Sequence, residues 1–128
     1  MTTRRNLSLL CVALALMAGC QGEPDQLDLV DLDAQERQVV ERYIILERAR
    51  AVTLADPAGG VAILDSLATA WGDSAAIEAE KALSTKPLRA TLVHDLLRRL
   101  LEAEQDSLVH APYPRRLTAP LPTPIPVD

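Results

Sequence analysis

The sequence predicts an all-α protein: a small bundle of three or four helices between a disordered acidic N-terminal tether and a Pro-rich extended C-terminal tail. Three observations carry that reading. Apolar residues recur at three- and four-residue spacing through residues 33–110, the period of one helix face. With no Phe, one Trp and two Tyr, any core must be aliphatic and Ala-rich, which suits close-packed helices better than strands. Helix start and stop signals punctuate the periodic segments, and six of the nine prolines gather after residue 111.

Residues 1–19 read as a secretory signal. Arg4 and Arg5 give a positive start, Leu7 to Ala18 an apolar run, and Ala18-Gly19 a small-residue cleavage site. The run holds 12 residues, whereas a membrane-spanning helix needs roughly 20. It also has no polar face to show water, which argues against a core helix in so small a domain. Leu16-Met17-Ala18-Gly19-Cys20 resembles the lipobox of bacterial lipoproteins, with Met17 where that family usually carries Leu. The resemblance implies cleavage between Gly19 and Cys20. Cys20 would then carry diacylglycerol on sulfur and a third acyl chain, such as palmitate, on nitrogen. Several chains make a stable anchor, because each buried methylene contributes about 0.8 kcal/mol and one chain holds only marginally. Thr3-Arg4-Arg5-Asn6-Leu7 approaches a twin-arginine signal, but Ser8 interrupts the apolar pair, which favours Sec export. Gln21 stands where inner-membrane retention would show Asp. By resemblance to Gram-negative lipoprotein sorting, this implies the outer membrane, facing the periplasm.

Removing residues 1–19 leaves 109 of 128, enough for one small domain. Arg4 and Arg5 leave with the signal, so the formal charge moves from −5 to −7. An acidic chain whose basic residues form only short pairs is a poor nucleic-acid binder. Cys11 is cut away and Cys20 acylated, so no free thiol, disulfide or thiolate metal site is expected in the mature chain.

Residues 20–32 carry Glu23, Asp25, Asp28 and Asp31 without periodicity and read as an acidic tether, repelled by anionic lipid. Residues 33–110 form the helical domain. Asp33-Ala34-Gln35-Glu36 resembles a capping box and predicts a first helix to about Ala55. Asp56-Pro57 supplies an N-cap with Pro at the first helical position, while Gly59 and Gly60 shift the expected start of the second helix toward Val61. That helix places Leu64, Leu67, Ala68 and Trp71 on one face, with Trp71 as a core anchor. Gly72 stops it, and Asp73 or Ser74 caps a third, Ala-rich helix through about Leu83. Lys86-Pro87 restarts the chain. The last helix sets Leu92, Val93, Leu96, Leu97, Leu100, Leu101 and Leu108 on an apolar face. Asp95, Arg98, Arg99 and Glu102 are expected to look outward, and the helix to end by Pro112. Across residues 111–128 the prolines all fall at even positions, so no P-x-x-P spacing occurs. An arm of roughly 50 Å follows from polyproline geometry.

Glu47 is the most informative single residue. Its helical neighbours are Val40, Tyr43, Ile44, Arg50, Ala51 and Leu54, so its carboxylate is expected to project from the buried face. An ionised carboxylate there needs a partner, with Arg50, the Tyr43 hydroxyl or a basic group of the last helix as candidates. The alternative is a polar patch in a groove that a partner or ligand completes. His94 reads as a boundary residue. Asp106 and His110 stand four apart near a helix end, a favourable ion-pair or dipole choice with no third metal ligand in reach. H-E-x-x-H, G-x-S-x-G and Gly-rich phosphate-loop signatures are missing, so no catalytic residue, metal or cofactor is expected.

Val39-Val40, Tyr43 to Glu47, Ile63 to Leu67, Trp71-Gly72-Asp73 and Leu92 to Leu101 resemble small helical lipoproteins of unknown function in Bacteroidota and related bacteria. Ala75, Ala76, Ala79 and Ala82 stand where those proteins tend to carry aromatics. The resemblance implies location and fold, and lends no activity. The expected role is therefore a non-catalytic, lipid-anchored envelope protein facing the periplasm. It would act as an interaction or accessory subunit, with an envelope protein or a second copy as partner. The rival is a carrier or chaperone-like module that receives a small molecule or client chain near Glu47.

Overall fold

A computed structural model describes residues 25–72 and 74–127. The signal segment, Gly19, Cys20 and Asp73 lie outside these. Four helices form: α1 (Ala34–Ala55), α2 (Pro57–Trp71), α3 (Ser74–Ser84) and α4 (Pro87–His110), with no strand among the described residues. Two 3-10 turns, Leu29–Asp31 and Pro114–Thr118, flank them.

Local chemistry sets the helix ends. The Asp33 carboxylate accepts the Glu36 backbone N–H at 2.8 Å, and Glu36 accepts that of Asp33 at 2.9 Å, so two orphan donors of α1 are satisfied. Asp56 closes α1 through a backbone bond to Val52 and caps α2 by accepting from Gly59 at 3.1 Å. Contrary to the sequence expectation, α2 begins at Pro57 rather than near Val61. Gly60 is needed there: a Cβ on it would stand 2.3 Å from the Thr53 Cα, so only Gly lets α2 close onto α1. Gly72, at φ 57°, breaks α2 from α3.

Contacts fix the helix directions. Glu36 meets Arg89 near the N-terminal ends of α1 and α4, and Arg48 meets Glu104 further along both, so these helices run parallel. Gly60 abuts Thr53 while the Trp71 carbonyl reaches Arg42, so α2 descends along the C-terminal half of α1. Tyr43 donates to Glu80, and Asp33 and Glu36 lie beside Leu83, so α3 descends along the N-terminal half. Leu27, Val40, Ile44, Ala79, Val93, Leu96 and Leu100 meet in the core. Among the described residues, α2 adds no side chain to it. Trp71 is accordingly not a core anchor. It is half-buried, with the Arg42 guanidinium 5.2 Å above its ring.

Both flanking segments depart from the sequence reading. Leu27 is fully buried, with Leu29 and Leu32 packed on the same core, so residues 25–32 are docked rather than part of a free tether. The Pro-rich tail is extended but lies along the bundle: Leu121 packs on the core, and tail carbonyls accept from two buried arginines. Proline explains the docking. Its missing N–H leaves nothing to satisfy on that side, while the carbonyls stay free to accept.

Arg48 and Glu104, each 2 % exposed, form the buried link between α1 and α4. Arg48 Nε donates to both Glu104 oxygens at 3.0 and 2.9 Å, and its other nitrogens reach the carbonyls of Ala119 (2.8 Å) and Pro120 (3.0 Å). Arg99, expected on the outer face, is 3 % exposed because the two docked segments cover it. It donates to the Leu27 carbonyl, to Asp95 at 3.1 Å and to the Ile125 carbonyl at 3.4 Å. Glu36 is also buried. The Arg89 guanidinium, bonded to it at 2.7 Å, holds its carboxyl below the usual carboxylate range against the opposing push of burial.

Candidate functional site

The geometry that stands out is a helix seat only partly filled. Val39 and Tyr43 of α1 lie beside α3, and the same stripe continues at helical spacing through Glu47, Arg50 and Leu54. On α4 a matching stripe runs through His94, Leu97, Leu101, Gln105 and Leu108. At 11 residues α3 covers about 16 Å, whereas the 24 residues of α4 extend about 36 Å. Beyond α3 the seat stays open as two adjoining depressions of about 480 and 410 Å³, which share Glu47, Leu108 and Val109. No α2 residue lines either one. Leu54, 88 % exposed, and Val109, 66 % exposed, flank the far end.

The residues singled out in the sequence divide between this seat and a neighbouring pocket. Glu47 is not buried: its side chain is 34 % exposed at the lip of the seat and accepts from Arg50. Tyr43 and Arg50 line a separate pocket of about 280 Å³ with Trp71 and Glu80. Burial, reinforced by the Glu80 carboxylate 3.4 Å away, pushes the Tyr43 hydroxyl pKa up. Arg50 therefore sits between the two spaces, with Glu47 on one side and Tyr43 on the other.

The rim of the seat carries both signs of charge. Arg98 donates to Glu102 at 2.6 Å and to Asp95 at 2.9 Å, and the Arg98 contact holds the Asp95 carboxyl below its ordinary value. His94 is exposed on the lip. Asp106 and His110 pair at 2.9 Å near the exposed end of α4. Among the described residues no three His, Cys, Asp or Glu converge to hold a metal. An apolar floor with a balanced rim is suited to receiving an apolar face by burial of hydrocarbon, and offers no strong field for a charged ligand.

The sequence sets Leu97, Leu101 and Leu108 on one apolar face; Leu97 is buried in the core and Leu101 packs against it, and all three also line the open seat. The signal for the opening was available in helix length: a third helix half as long as α1 and α4 cannot cover both. Compared with known protein families, curated proteins and solved structures, the chain gives no match.

Proposed function

We propose that this chain is a lipid-anchored envelope protein without a catalytic role, an interaction or accessory subunit whose docking surface is the open seat between α1 and α4. The observation that carries the docking reading is the apolar seat continuing past α3 with Leu54 and Val109 exposed beside it. A solvated apolar groove of this kind marks a contact surface. The lipobox-like Leu16 to Cys20 supports the anchor, with acyl chains on Cys20 supplying attachment to the outer membrane and the domain facing the periplasm. No helix among the described residues is long and apolar enough to cross a membrane.

The Glu47–Arg50 pair at the lip favours one further reading, a carrier or chaperone-like module that holds a small molecule or client chain in the same groove. Bound lipid or peptide in a native mass spectrum would distinguish it.

Anchoring is tested by a Cys20→Ala variant of the full chain, compared with wild type by fractionation and N-terminal mass. The variant is expected to leave the membrane fraction and lack the added acyl mass. Membrane association and N-terminal mass identical to wild type, apart from the substitution itself, would overturn the anchor.

A further inference from the structure

We infer that the occupant of the open seat is a second copy of this chain, with α4 of each copy lying antiparallel in the seat of the other. The inference rests on the docking reading above and names its partner.

Continuity with an interface already in the molecule is the first support. The α1–α4 seat holds a helix in its lower part, where α3 lies, so the same two surfaces further along are shaped for another. The uncovered stretch is about 20 Å, or roughly four helical turns, which matches the part of α4 from His94 to Val109 that lines it. Two α1–α4 pairs brought together there make a four-helix arrangement, with Leu97 and Leu101 at its centre and Leu54 and Val109 toward its ends.

Charge is the second support. A two-fold interface brings a surface against itself, so it must be self-complementary. Arg98 and Glu102, both lining the seat, lie equally far either side of residue 100. An antiparallel crossing centred there sets Arg98 opposite Glu102 of the second copy, a contact made twice. The rim thus pairs with its own copy without like charges meeting, whereas a strongly charged partner would find no matching excess.

The test is the mass of the full chain, extracted in mild detergent and measured by light scattering with the detergent contribution subtracted. Wild type is expected to be a dimer. Arg98 is exposed, so Arg98→Glu should leave the fold intact while weakening the dimer by about tenfold or more, because two carboxylates then oppose each other twice. Adding Glu102→Arg should restore it. A monomeric wild type, or a dimer indifferent to both changes, overturns the inference. A monomer that still carries a stoichiometric envelope protein, lost in Leu101→Asp, overturns the second copy and leaves the docking surface standing. A monomer without a companion overturns both.

Discussion

Replacing Glu104 by Ala is expected to destabilise the bundle by about 3–5 kcal/mol, a large share of the ~5–15 kcal/mol that holds a folded domain together. The cause is the charge left behind. Arg48 is 2 % exposed, and without Glu104 its guanidinium keeps the Ala119 and Pro120 carbonyls as acceptors among the described residues. Two neutral dipoles do not offset the burial of a full positive charge. The pair itself need not add net stability, since desolvating two ions consumes most of what their attraction returns. Arg48→Met combined with Glu104→Leu should therefore recover most of the loss. By contrast, Glu41→Ala removes an exposed contact to Arg37 at 3.8 Å and should cost under about 1 kcal/mol. Urea unfolding of the full chain, followed by circular dichroism, separates these outcomes. Equal midpoints for Glu104→Ala and Glu41→Ala would contradict the assignment of a buried link.

Ending the chain after Thr118 should cost about 2–4 kcal/mol and lower the thermal midpoint by roughly 10–20 °C. The truncation removes both carbonyls that complete Arg48, the Ile125 carbonyl beside Arg99 and the Leu121 side chain on the core. A free arm would leave the midpoint unchanged. The two effects should also be coupled, because both act on Arg48: in the Arg48→Met and Glu104→Leu background, truncation should cost visibly less.

The boundaries of the fold were legible because helix ends are local chemistry. Asp33 with Glu36, Gly72, and Lys86 with Pro87 each act within a few residues and need no knowledge of tertiary structure. The start at Asp56-Pro57 was obscured by Gly59 and Gly60, and the need for Gly60 arises from the close approach of α1. The side-chain assignments were less secure because helical phase is global. One residue is a rotation of about 100°, so a small error in placing the buried stripe of α1 exchanges Glu47 for Arg48. The opposite charges at Arg48 and Glu104 each lie on a stripe of apolar residues at three- and four-residue spacing. That paired interruption was the available clue. Arg99 could not be read at all from periodicity, since it is buried by two segments that have none. The docked tail was hidden for a related reason: prolines specify an extended backbone but not what its carbonyls will accept. As for the site, Glu47, Tyr43 and Arg50 did fall at or beside an opening, but the opening itself comes from the shortness of α3.

The docking claim is tested most directly by the reactivity of the seat in native membranes. Gln105→Cys places a thiol on the exposed lip of the seat, and Ser66→Cys places one on the exposed face of α2. Maleimide labelling of each, normalised to its rate in the denatured chain and read by peptide mass, compares the two surfaces in one experiment. Position 105 is expected to label many-fold more slowly than position 66, because a docked partner covers the seat. Equal rates would mean that the seat stands open to water in the cell, and that the domain does not dock through it.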